Sequence, residues 1–174
     1  MAVNINSVYQ KVLAIANKEQ RGYITPQEFN LLADRAQNEI YENYFHQARN
    51  SNAKIKDDDT HTDTLDMIEA KLSPFFKIET NTNIASSIMT LPTDLYKLVS
   101  IVVGSGLATE LNREEALRVS SLIGLSSVLA PTTSRPIFER RSATTVRINP
   151  DPGNGSSCSV SYYKTPTTPN WGYV

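Results

Sequence analysis

Residues 57–63, Asp-Asp-Asp-Thr-His-Thr-Asp, hold four carboxylates and one of the two histidines in the chain, a collection of side chains able to ligate a metal ion. A calcium loop places oxygen ligands at alternating positions, a glycine at the sixth for its sharp turn, and a closing carboxylate. Counted from Asp57 the sixth residue is Thr62, and counted from Asp58 it is Asp63, so the glycine is missing and the ligand series is incomplete. With Lys54 and Lys56 alongside, the expectation for residues 50–64 is a solvated, exposed loop that holds no metal. His46, the other histidine, stands in an unrelated context and reads as a surface residue.

Other chemistry-bearing patterns are sparse. The pair Gly104 and Gly106 around Ser105 follows an apolar stretch, which invites a phosphate cradle, but a tight turn after a strand needs the same residues. The chain lacks the G-x-x-x-x-G-K, G-x-G-x-x-G and G-x-S-x-G patterns, and its two histidines do not stand at ligand spacing. Among 18 Asp and Glu residues nothing selects a general acid–base pair. Glu139, Arg140 and Arg141 sit consecutively, which on a strand gives one exposed and one paired arginine. Cys158 is the single cysteine, so neither an intrachain disulfide nor a cysteine zinc site can form, and its alternation with Val160 and Tyr162 puts the thiol on a strand face. The expectation is a protein with no catalytic residues and no cofactor.

Bulk composition agrees. The 174 residues suffice for one domain with a core. A hydrophobic content of 40% and a mean hydropathy of −0.33 leave polar surface to spare and suit a chain that completes its burial on partners. The net charge of −1 argues against a footprint for tight binding to a phosphate backbone. The lack of a run of about 18 apolar residues excludes a spanning helix, and the first residues show no secretory leader, so the expected setting is a reducing cytoplasm or a particle assembled there.

The elements that would carry any site come in two groups. Ile5, Val8, Val12, Ile15 and Ala16 repeat at helical spacing over 6–18. Gly22 suits a helix end, and Thr25-Pro26-Gln27-Glu28 supplies an N-cap, a proline in the first turn and a capping-box glutamate for a second helix. Its stripe is Phe29, Leu32, Ala33, Ala36, Ile40, Tyr44 and Phe45, widened by Tyr41, and runs to about residue 47. A short third helix over 64–72 has Asp63 as cap and Leu65, Ile68 and Leu72 inward, with Pro74 ending it.

Strands are expected from 75–78, 87–91, 99–103, 136–141, 144–149 and 157–163, the last three as a meander, with one helix over 112–122 capped by Asn112. The class is α+β: an N-terminal helical hairpin or bundle, then a small antiparallel sheet, then an extended C-terminal arm. This is read as a single domain, 1–74 mainly helical, 75–165 mixed with short strands, and 166–174 the arm. Pro166 and Pro169 keep the arm out of helix, and Trp171 and Tyr173 are large amphipathic anchors. The arm is expected to dock on another subunit. Interface candidates are Phe29, Tyr41, Tyr44, Phe45, Pro166, Pro169, Trp171 and Tyr173.

Several stretches together resemble virion structural proteins of tailed bacteriophages, particularly crAss-like and related short-tailed phages. They are Lys18-Glu19-Gln20-Arg21-Gly22-Tyr23 with Ile24-Thr25-Pro26-Gln27-Glu28-Phe29-Asn30, the central Leu91-Pro92-Thr93-Asp94-Leu95-Tyr96, and the closing Tyr162-Tyr163-Lys164-Thr165-Pro166 and Pro169-Asn170-Trp171-Gly172-Tyr173. The resemblance covers nearly the whole chain. It implies a ring component of the neck or tail, a head-to-tail connector or adaptor in about twelve copies beside the portal protein and other neck and tail proteins. It also implies a virion location, no membrane, and at most non-specific proximity to genomic DNA in a channel. Another tail or tail-hub protein is the alternative. A small ligand-binding or hydrolytic domain is the distant one and would need a pocket with convergent polar groups.

Overall fold

In a computed structural model the described residues are 3–18, 24–54, 60–81, 84–122, 130–153 and 156–172. They divide into two compact units. One comprises Met1–Ser73 with Pro166–Val174, and the other Pro74–Thr165. The arm thus groups with the helices and not with the strands that it follows in sequence.

The helical unit holds α1 (Ile5–Lys18), α2 (Pro26–Lys54) and α3 (Thr60–Leu72). The start of α2 is fixed locally by a reciprocal capping box. Glu28 N–H donates to Thr25 Oγ1 at 3.3 Å, while Thr25 N–H and Oγ1–H donate to Glu28 Oε2 at 3.0 and 2.8 Å. The backbone and hydroxyl donors of Thr25 hold the Glu28 carboxyl below its ordinary pKa. A depressed carboxylate stabilises the fold above its unfolded pKa and loses that contribution as pH falls through the folded value. Thr25→Ala is expected to cost about 1 kcal/mol at neutral pH. The stability gap between wild type and Glu28→Gln should close on acidification when followed by denaturant unfolding at pH 7 and pH 3.

Two boundaries differ from expectation. The helix α2 continues to Lys54 and α3 begins at Thr60, so most of the expected loop 50–64 is helical and Asp63 lies inside α3 instead of capping it. An apolar stripe is needed to dock a helix, not to propagate its backbone hydrogen bonds, so a polar extension can remain helical. Asp57, Asp58 and Asp59 lie outside the described residues. Against α2 packs α3, burying Ile68 and Leu72.

Among the described residues the second unit holds a sheet of eight strands and one α-helix: β1 (Phe76–Asn81), β2 (Ile84–Ala85), β3 (Ile88–Thr90), β4 (Leu95–Val103), β5 (Gly106–Leu111), α4 (Arg113–Ser120), β6 (Ile137–Arg140), β7 (Thr145–Asn149) and β8 (Cys158–Lys164). The order across the sheet is β1-β8-β4-β5-β6-β7-β3-β2. Laid flat, the seven spacings between its outer strands would separate them by about 34 Å. Yet Asn81 of β1 and Ile84 of β2 are three chain steps apart, a reach of about 11 Å. The sheet must therefore curl until its two edges come near each other. The inside of the curl is the core: Met89, Ile101, Phe138, Val146, Ile148, Cys158, Val160 and Tyr162, with Ile84, Leu91, Val103 and Ala108. The alternation in β8 is complete, Cys158, Val160 and Tyr162 buried and Ser159 and Ser161 between them.

Two expectations about the sheet need correction. It is mixed, because β5 and β6 run parallel; that pairing requires a crossover, and α4 packs against both strands. Nor do the last three strands form a meander. Although β6 and β7 pair, β8 inserts between β1 and β4. Its two-neighbour position suits a strand with one fully apolar face and small serines on the other. The cap of α4 is as expected, Glu115 N–H donating to Asn112 Oδ1 at 3.2 Å. Ser105 and Gly104, the latter at φ 57°, form the two-residue turn from β4 to β5, with glycine at the position a type II′ hairpin requires.

Candidate functional site: an apolar face on the long helix

On α2 two lines of residues at four-residue spacing have opposite fates. Phe29 and Tyr41 are buried at 4% and 3% exposure, and Ala33 and Gln37 between them are half-buried. Leu32 and Ile40, with Ala36 between them, face outward at 60% and 54% exposure, joined by Leu31 at 74%. The inward line is held by aromatic packing. Tyr9 of α1 meets Phe29 edge-on with centroids 5.3 Å apart, and Tyr41 meets Phe45 the same way at 5.0 Å. Tyr44 is half-buried under the Lys71 ammonium, 5.2 Å from its ring centroid. Phe29 and Tyr41, expected at an interface, are thus spent inside the chain, and the apolar surface lies at Leu31, Leu32 and Ile40. Val8 and Ile15 of α1 are exposed as well. A solvent-facing run of large aliphatic side chains on one helix is a candidate contact surface.

The arm also departs from expectation: it is seated on the helices of its own chain. Trp171 stacks on Tyr9, centroids 3.7 Å apart and planes 17° from parallel, and meets Phe29 edge-on at 6.2 Å. Asn30 grips the Trp171 backbone from both sides, accepting from its N–H at 2.8 Å and donating to its carbonyl at 2.9 Å. Gln37 donates to the Thr167 carbonyl at 3.1 Å. Pro166 is buried and Pro169 half-buried. Tyr173 lies outside the described residues. An aromatic shelf on α1 facing a free amide on α2 was the signal for this seat, and Tyr9 was missing from the sequence-derived stripe.

Titratable groups gather in the curled sheet at two places. At one, the Tyr162 hydroxyl lies 3.0 Å from Glu79 Oε2 and 2.8 Å from Asp94 Oδ1. Lys77 stands 3.1 Å from Glu79 Oε2 and 3.7 Å from Asp94 Oδ2. Burial, and then the hydrogen bond to Asp94, push the Tyr162 hydroxyl up to about 12, and the Tyr162 and Glu79 contacts hold Lys77 above its ordinary range. This cluster sets one ammonium against two carboxylates and ties β1 to β8 and to the chain entering β4. At the other place Arg141 Nε pairs with Glu139 Oε1 at 2.6 Å, the carboxylate side chain 8% exposed, while Arg140 reaches Glu110 at 3.9 Å. Burial raises the Cys158 thiol pKa, so the thiol stays protonated in the core.

An open cleft of about 450 Å³ is lined by Val103, Gly104, Ser105, Thr133, Ser134, Pro136, Pro150, Pro152, Ser156 and Ser157, none of which is an acid, base or thiol. No buried polar side-chain atom among the described residues lacks a partner. Beside the cleft, a Cβ added to Gly106 would lie 2.6 Å from Pro136 Cδ and 2.7 Å from the Thr133 carbonyl oxygen. Gly106→Ala is therefore expected to destabilise the sheet by about 2 kcal/mol, readable as a lowered denaturation midpoint. Searched with family models and against curated proteins, the chain finds no match. No helix among the described residues is long and apolar enough to cross a membrane.

Proposed function

We propose that this chain is a structural component of a phage particle, forming a ring in the neck or tail that joins the portal to the tail. The observation that carries the assembly part of this reading is the outward face Leu31, Leu32 and Ile40 of α2. Burying such a face on a neighbour recovers about 1.5–3 kcal/mol per large aliphatic side chain, and repeating one heterologous contact around an axis closes a ring. The choice of particle rests on the likeness to tailed-phage virion proteins across the capping segment, the Leu91-Pro92 turn and the proline-tryptophan tail. A non-catalytic role fits the cleft, whose lining offers hydroxyls without a base to activate them. The nearest alternative, a tail-hub ring, differs in its neighbours and not in this lateral contact.

Sedimentation velocity and negative-stain electron microscopy of the purified chain over a concentration series test the reading. Closed rings of uniform diameter are the expected result. A chain that remains monomeric throughout counts against it.

A further inference from the structure

We propose that residues 166–172 form a strap whose closure docks α1 on α2, so that α1 and the arm open and close together. The device lies within one chain and does not rest on the ring reading.

The reason is what α1 buries. Of its described side chains only Tyr9 is buried, while Ile5, Val12, Leu13 and Ala16 on the same side of the helix are half-buried and Val8 and Ile15 are exposed. A helix of 14 residues is marginal alone in water and takes its stability from the face it docks. Tyr9 is the centre of that face. Its hydroxyl donates to the Ile24 carbonyl at 3.2 Å, Phe29 of α2 meets its ring at 89°, and the Trp171 indole covers one flat side of it at 3.7 Å. Trp171 Nε1–H also donates to Asn6 Oδ1 at 3.4 Å, a second tie from the arm to α1. Lifting the strap therefore uncovers the buried ring of α1.

The arm fits the helix it crosses. It runs antiparallel to α2, with Thr167 bonded to Gln37 and Trp171 to Asn30. Asn30 and Gln37 are about 10.5 Å apart along an α-helix, and Thr167 and Trp171 about 12 Å apart in extended polyproline geometry, so both grips are met with little slack. Pro166 and Pro169 favour that extended path. The arm has no ladder of its own, and its backbone is gripped by the side chains of Asn30 and Gln37, so α2 keeps its own backbone bonds when the arm lifts. By linkage, docking of α1 and seating of the arm strengthen each other by the same factor.

Hydrogen exchange read by mass spectrometry on the full chain tests the strap, with Trp171, the only tryptophan, as a fluorescent reporter. In Trp171→Ala the amides of α1 are expected to exchange at least about tenfold faster, while those of α3 and β8 keep their wild-type rates. Asn30→Ala keeps the indole and removes its backbone grip; α1 should again exchange faster, and the Trp171 emission should shift to the red. Trp171→Phe returns a ring to the stack and should recover most of the α1 protection. Wild-type exchange of α1 in Trp171→Ala overturns the strap, since α1 then docks without it, as does an α1 already unprotected in the wild type. Equal acceleration through α1, α2 and α3 overturns it too, because the arm is then part of a common core and not a strap over α1.

Discussion

On the proposed ring, Leu32→Glu combined with Ile40→Glu is expected to leave α2 helical and to abolish self-association. Both side chains are more than half exposed, so neither substitution removes internal packing, and glutamate is a good helix former. In a ring contact the new carboxylates would have to be buried without partners, at a cost of several kcal/mol, and each 1.4 kcal/mol weakens association about tenfold. The loss should exceed roughly 100-fold. Circular dichroism would read the helix and sedimentation velocity the assembly. Met67→Glu, on exposed Met67 of α3, is the control that should still assemble. A double variant that sediments like wild type removes this face from the interface.

The second large effect is internal. Tyr162→Ala deletes the largest fully buried side chain of the curled sheet and is expected to cost about 3–5 kcal/mol, a large part of the roughly 5–15 kcal/mol that holds a domain folded. Tyr162→Phe keeps the volume and removes only the hydroxyl between Glu79 and Asp94, for about 1 kcal/mol. The two variants separate packing from the polar tie. The hydroxyl also predicts a response to base. A tyrosine whose pKa is raised to about 12 contributes stability that is fully present below its unfolded value and is lost as pH rises through the folded one. Tyr162→Phe should flatten that loss between about pH 10 and pH 12 in denaturant unfolding.

What was legible in the sequence was local. Thr25 and Glu28 specify the start of α2 within one turn, and Asn112 does the same for α4, so both caps are placed correctly. Strand positions were mostly legible from alternation, but β2 and β5 were not: two residues give no period, and β5 opens with Gly106 and carries an exposed Leu107. The order of the strands depends on partners far apart in the chain, which is why β8 was expected beside β7 and lies between β1 and β4. Two of the interface candidates, Phe29 and Tyr41, are buried within the chain for a related reason. Periodicity marks α2 as apolar on more than one line without saying which line turns inward, and that is settled by Tyr9 and Trp171, distant in sequence from Phe29. Trp171 anchors the arm on its own chain, against Tyr9 and Asn30, where the expectation is docking on another subunit.

The arm issues directly from β8, and β8 is bonded along its length to antiparallel neighbours on both sides, Phe76–Asn81 on one and Leu95–Val103 on the other. Tension applied through the arm would run along this strand, perpendicular to its inter-strand hydrogen bonds. Both ladders would then be sheared at once, with the load divided among many bonds, instead of being peeled open one bond at a time as at a sheet edge. An arm rooted in an outer strand such as β2, with only two residues paired, would unzip under far smaller pull. The position of β8 therefore makes the root of the C-terminal arm resistant to being pulled out of its sheet.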